Sequence, residues 1–321
     1  MSTPFSKSAG TADWLEVAPI LLSHIEVLSP RSVRDALKAL DDYQLDIRIV
    51  AGSTDVSVML KDGNMKEKRF LDISRLEDLK HIIVSRDGLI HIGAVASYGD
   101  CLRSPIIRKK AGILLDSFLT IGSPQIRNLA TIAGNLETAS PAGDAIPPLF
   151  ALDATIVLES LSRKREIAVE KFLTGYRKTM REPNELITEV KFHPVNRDEV
   201  TFFRKLGLRH ANSIALASVA FWGKVREGPV LSEARIALGA VAPTVIRARG
   251  AEEALVNSQL TDDRVKAVAR TCASEAQPIS DIRGSADYRR RAVNALMYVG
   301  IRDVFERLGN AIGNAGVKST R

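Results

Sequence analysis

The sequence predicts an α+β fold: a two-part N-terminal domain, built from a small α/β module plus an antiparallel sheet with helices, followed by a small C-terminal domain of antiparallel sheet plus helical bundle. Three observations carry this. Apolar strand-like runs flank one helical repeat between residues 29 and 77. From Leu79 the spacing becomes that of hairpins. Beyond the polar, proline-marked stretch Pro194-Val195-Asn196-Arg197-Asp198, strand patterns precede three helical ones, and 321 residues exceed the usual core of one domain.

The elements follow in order. Residues 1–20 are polar and small and read as an N-terminal arm. Ser29-Pro30-Arg31-Ser32 offers a cap for a helix through Ala36, Leu37 and Leu40, and Ile47–Ala51 and Phe70–Ile73 read as strands. The stretch 81–93 is a hairpin turning at Asp87-Gly88. Helices are expected over 98–102 and 107–119, then a long glycine-rich loop over 121–144. Strands 154–159 and 186–192 flank a helical segment at 169–174. Past the boundary come strands 201–204, 215–225 and 233–239 and helices 248–257, 262–274 and 288–308, with 309–321 as a flexible tail. The expected division is 1–20, 21–195 (parts 21–77 and 78–195), 199–308 and 309–321.

Composition narrows the function. The net charge of +7 includes Arg163-Lys164-Arg165 and Arg289-Arg290-Arg291, but aromatics are only 5%, so a nucleic-acid platform is not expected. A solvated face, a dinucleotide's phosphates or an acidic partner accounts for the basic excess. Arg283 and Arg289 to Arg291 read as a solvated helix start or as contacts to a partner. No run is long and apolar enough to span a membrane, and the N-terminus lacks a signal-peptide core, so cytoplasmic residence is expected. Cys101 and Cys272 form no CxxC pair, which leaves no cysteine-ligated cluster in this chain. The five histidines show no metal spacing, and no catalytic dyad is visible.

Two glycine-centred segments carry the chemistry. IGSPQIRNLATIAGNLETASPAGD (121–144) gathers glycines with short hydroxyl and amide side chains, and AGSTD (51–55) repeats that chemistry between apolar runs. Small residues let main-chain amides approach a phosphate, and successive amides form an anion nest. Two such nests point to a long, doubly phosphorylated ligand.

These segments, with PPLFALDA (147–154), NELITEVKF (184–192), FFRKLGLRHANSIALASVAF (202–221), ARIALGAVAPTVIRA (234–248) and DIRGSADYRRRAV (281–293) in order, resemble the FAD-binding subunit of the molybdenum hydroxylases, the xanthine dehydrogenase and carbon monoxide dehydrogenase family with its PCMH-type FAD-binding fold. The likeness covers roughly residues 20–308. It implies that Ile49, Val50, Ala51, Gly52, Ser53, Thr54, Asp55 and Val56 form the first pyrophosphate loop and Thr131, Ile132, Ala133, Gly134 and Asn135 the second, with Thr54 and Thr131 as hydroxyl donors and Thr138 beside them. Asp144 would accept from ribityl or ribose hydroxyls or cap the following helix. Ile121 and Ile187 would pack on the flavin or adenine, and Lys205 would sit near the flavin. The family usually has Gly-Gly-Asn where this chain has Ala133-Gly134-Asn135, and glycine or asparagine is commoner at position 53. A residue held at positive φ there would cost about 1 kcal/mol.

The resemblance implies non-covalent FAD, since the first nest holds no histidine. It also implies an electron-transfer role: relay from a partner's [2Fe–2S] clusters to an external acceptor. The molybdenum cofactor and the clusters are expected only in partner chains, a small [2Fe–2S] subunit and a large molybdopterin subunit, arranged as a dimer of heterotrimers. Two other readings stay open: a self-contained PCMH-type flavin oxidase, and a non-catalytic flavin-binding assembly or sensor protein.

Overall fold

The structure is a computed structural model that describes residues 25–62, 65, 67–227 and 230–316. The expected arm 1–20 lies outside the described residues. The chain opens with β1 (Glu26–Leu28), α1 (Val33–Tyr43), β2 (Ile47–Val50), α2 (Val56–Lys61) and β3 (Arg69–Asp72). Ser32 starts α1 in extended conformation, its Oγ accepting from Asp35 N at 3.1 Å, and the helix buries Ala36, Leu37 and Leu40. The strands form a parallel sheet in the order β1-β3-β2.

A second sheet is antiparallel. β4 (Ile82–Val84) and β5 (Ile90–Gly93) turn at Gly88, whose φ of +83° suits glycine. Then come six short helices: α3 (Tyr98–Arg103), α4 (Pro105–Lys110), α5 (Gly112–Phe118), α6 (Pro124–Leu129), α7 (Ile132–Thr138) and α8 (Ile146–Ala151). β6 (Thr155–Glu159), β7 (Lys164–Ala168), α9 (Val169–Phe172), β8 (Leu173–Gly175), β9 (Lys178–Thr179) and β10 (Leu186–Phe192) complete this part, with sheet order β4-β5-β10-β6-β7 and β8-β9 as a separate ribbon.

Three expectations change here. The single helix at 107–119 is two, because Ala111 leaves helical geometry and Lys110 O accepts from Val195 N at 2.7 Å. The long loop 121–144 contains α6 and α7, started by Ser123 and Thr131, whose hydroxyls accept from the Ile126 and Gly134 amides. In the basic cluster 163–165, Lys164 and Arg165 begin strand β7; Arg163 and Lys164 are exposed, while Arg165 turns inward. Arg163 and Arg165 clamp the fully buried Glu185, Arg165 through two 2.7 Å hydrogen bonds.

The C-terminal part comprises β11 (Glu199–Gly207), β12 (Ala215–Glu227), β13 (Val230–Gly239) and β14 (Ile246–Arg247), an antiparallel sheet in that order, then α10 (Arg249–Leu255), α11 (Asp262–Glu275) and α12 (Ala286–Gly316). Both sheet faces are covered. Phe203, Ala220, Trp222 and Ala237 join the core of the N-terminal part, while Phe202, Val219, Phe221 and Ile236 pack with Val268, Val293 and Met297. This alternation at period two explains why β12 reads as one apolar run. The tail expected from residue 309 is helical to Gly316, since α12 propagates from a packed face, and residues 317–321 lie outside the described residues. No helix among the described residues is long and apolar enough to cross a membrane.

Arg289 also departs from expectation. It is 2% exposed and donates to Leu216 O and Ala240 O, both at 3.1 Å, and to Asp281 at 2.8 Å. Arg283 holds the other oxygen of Asp281 at 2.6 Å, and together the two arginines pull that carboxyl well below its ordinary range. Arg289 is therefore an internal tie between α12 and the sheet. Arg290 is half-exposed and pairs with Asp287.

Candidate functional site

β2 and β3 end where the Ala51–Asp55 loop faces α7, and between them opens a cleft of ≈ 410 Å³. The loop amides of Gly52, Ser53, Thr54, Asp55 and Val56 donate to no partner among the described residues. Gly52 has a steric reason. A Cβ there would lie 1.8 Å from Leu129 O, so only glycine lets this loop meet the segment that leads into Thr131. Ser53 takes φ +58°, so the loop carries backbone strain at the position where glycine or asparagine is the commoner family residue. Ser53 Oγ lies 2.7 Å from Ser57 Oγ.

Across the cleft, Thr131 Oγ1 accepts from Gly134 N at 3.0 Å and caps α7. Ala133 lies in the first turn of that helix without positive φ, so alanine is no liability there. Asp55 Oδ2 accepts from Thr138 Oγ1 at 3.0 Å and ties the two loops together. Thr138 is thereby committed to the scaffold. Ile121 and Ile187 line the cleft, whereas Ile132 is buried in the core behind it.

Asp144 is 8% exposed and pairs with Lys205 Nζ at 2.5 Å, and the lysine also donates to Thr120 O at 3.2 Å. Burial pushes the Asp144 carboxyl up to about 6, and the neighbouring ammonium only partly offsets that. Asp144 does not cap α8, whose first flanking residue is Ala145 without a side-chain cap. Lys205 does not itself line the cleft; it acts there through Asp144.

Sequence reasoning missed several cleft residues: Tyr98, Glu137, Arg48, Arg177, Arg181 and the pair Ser213 and Ile214. Arg177 and Arg181 follow from the β8–β9 ribbon, which was not expected as an element. The alternation Leu173–Thr179 around a Tyr176-Arg177 tip was the available signal. Ser213 and Ile214 come from the β11–β12 connection, which no local pattern places over the cleft.

The polar balance of the cleft fits a large polar ligand. Tyr98 Oη, Asn135 Oδ1 and Asp144 Oδ1 are buried without a hydrogen-bond partner among the described residues, and all three residues line it. Buried polar atoms of this kind are costly unless something completes them. Free backbone amides at one end suit phosphate oxygens, and the orphan acceptors of Asn135 and Asp144 suit hydroxyl donors. No histidine or cysteine lines the cleft, and no group of side chains among the described residues is arranged to hold a metal.

Comparison with known proteins places this geometry. Residues 23–194 match the family described as FAD binding domain in molybdopterin dehydrogenase, and residues 202–304 match the CO dehydrogenase flavoprotein C-terminal domain. The glyceraldehyde dehydrogenase medium chain of Sulfolobus acidocaldarius is 35% identical, over 85% of this chain and 95% of its own length. The nicotinate dehydrogenase FAD-subunit of Eubacterium barkeri is 30% identical over 89% of this chain and 98% of its own. Among solved structures, carbon monoxide dehydrogenase from Hydrogenophaga pseudoflava matches with a TM-score of 0.83 at 28% identity, covering 87% of this chain and 96% of the matched one.

Proposed function

We propose, from the premise that this chain belongs to the family of FAD-binding subunits of the molybdenum-hydroxylase-type dehydrogenases, that it relays electrons from a partner's [2Fe–2S] clusters to an external acceptor. The observation that carries the reading is the run of free amides from Gly52 to Val56 facing Thr131–Asn135 across one cleft. FAD, when bound, supplies a two-electron store that can be filled one electron at a time.

The chain's residues hold and bias that cofactor. The amides of 52–56 and the first turn of α7 bind the pyrophosphate, with Thr54 at its side. Asn135 and Asp144 accept hydroxyl hydrogen bonds through their orphan oxygens. Ile121 and Ile187 give apolar walls that exclude water from the ring system. Lys205 keeps Asp144 oriented through its 2.5 Å contact. FAD is held without a covalent bond in this reading. The same reading divides the chain into a cofactor domain over 21–195 and a C-terminal domain over 199–308.

The partners in this reading are a small [2Fe–2S] subunit and a large molybdopterin subunit, as a dimer of heterotrimers. Hydroxylation chemistry belongs to them in this reading, and the described residues of this chain gather no group of side chains that could hold a metal. The purified chain should be yellow and release FAD on acid treatment, and Gly52→Val should remove the bound flavin, because the new side chain displaces the loop from the Leu129 backbone. Unchanged flavin stoichiometry in that variant would sink the loop assignment. Substrate turnover by the isolated chain would sink the relay.

A further inference from the structure

Arg48, Arg177 and Arg181 bring positive charge to the cleft, and they differ in how they are held. Arg181 is committed to the scaffold: its Nε donates to Glu137 at 2.9 Å and its Nη1 to the carbonyls of Glu182, Pro183 and Glu185. Arg48 lies on β2 with Glu67 at 3.9 Å. Arg177 sits at the tip of the β8–β9 hairpin, pinned by its own amide, which donates to Ala139 O at 3.3 Å, and with a φ of +52°. Its guanidinium makes no hydrogen bond to the described residues. It makes one ionic contact, Nη1 to Asp55 Oδ2 at 3.9 Å.

That contact is weak. Both side chains are more than 40% exposed, so solvent screens the pair. Nor does Asp55 depend on the arginine, since the same Oδ2 is already hydrogen-bonded by Thr138. A cation with unused donors is therefore held at the level of the loop whose amides are also unused. A guanidinium fork in that position can donate to two oxygens of one phosphate, whereas the carboxylate at 3.9 Å lies beyond hydrogen-bond reach.

We propose that Arg177 is the cation of the phosphate site, exchanging its loose contact with Asp55 for charge-assisted hydrogen bonds to the dinucleotide's pyrophosphate. The hairpin carries it in, and the amides of 52–56 meet the same phosphates. The inference rests on the reading of this cleft as the FAD site and adds the residue that supplies its charge.

The test uses the full chain, stripped of flavin and titrated with FAD by fluorescence at several salt concentrations, with circular dichroism confirming the fold of each variant. Arg177→Gln should weaken FAD about 10- to 100-fold and flatten the salt dependence, while Arg177→Lys should keep the salt dependence and lose only the part of the affinity that the fork supplies. Riboflavin, which lacks phosphate, should bind Arg177→Gln and the unsubstituted chain alike. Equal FAD affinity and salt slope in Arg177→Gln overturns the proposal. So does an equal loss of affinity and of salt slope in Arg177→Gln and Arg177→Lys, which would show that the charge at this position is not what the site uses. So does a loss of riboflavin binding that parallels the loss of FAD. Failure of the unsubstituted chain to bind FAD is a different result, which removes the cleft reading beneath the inference.

Discussion

The cleft and the C-terminal layer both bury polar groups, and they finish them differently. Beneath the C-terminal sheet, Arg289 ties two carbonyls and Asp281 across three elements, leaving only its Nε without a partner among the described residues. In the cleft, Tyr98, Asn135 and Asp144 each leave an oxygen unmatched, five consecutive amides stay free, and Ser53 holds a left-handed backbone. Closed networks of the first kind rigidify a core, whereas open ones are unfavourable until a ligand completes them. The difference separates a region built for stability from one built to be completed.

The largest expected effect comes from opening the closed network. Arg289→Met leaves the Leu216 and Ala240 carbonyls short of a donor, while Asp281 keeps Arg283, and should cost about 3–5 kcal/mol, read as a lower urea midpoint. The flavin content of the molecules that remain folded should be unchanged. Wild-type stability in this variant would mean that the tie is not structural.

A smaller effect tests the open side. The folded pKa of Asp144, about 6, lies above its ordinary value of 3.8. Its contribution to stability is therefore fully present below pH ~4 and lost as pH rises through ~6, about 3 kcal/mol for roughly two pKa units. Urea midpoints of the flavin-free chain between pH 4 and 7 should show this fall, and Asp144→Asn should flatten it. A pH slope unchanged by that substitution would assign the dependence to another group.

The smallest effect concerns the two departures from the family pattern. Ala133→Gly restores the commoner residue, yet position 133 is helical, so it should destabilise by about 0.5–1 kcal/mol. A gain in stability would show that the residue needs the positive φ that Ser53 adopts instead.

Both departures were visible as letters, but not which of them carries strain. A left-handed backbone at 53 follows from the loop having to meet Leu129 and then enter α2, whereas 133 inherits helical angles from the Thr131 cap. The hairpin at Gly88, the Ser32 cap and the three long C-terminal strands were legible because each is written in neighbouring residues. β7 was not, since its alternation of Lys164, Arg165, Glu166 and Ile167 looks like a charged surface until Glu185 arrives from the start of β10.

By itself the sequence determined the fold class, the longer strands and helices, and the two glycine-centred loops with their family, because backbone preference, period and capping act over a few residues. Tertiary structure alone decided the fate of the charges. Lys205 belongs to Asp144, Arg289 to Asp281 and the sheet, Arg165 to Glu185, and Arg177 stands over the loop with its donors unused. The physical reason is reach: a long cationic side chain binds whatever acceptor passes nearby in space, and sequence separations of 61, 73 and 85 residues between such partners leave no local trace.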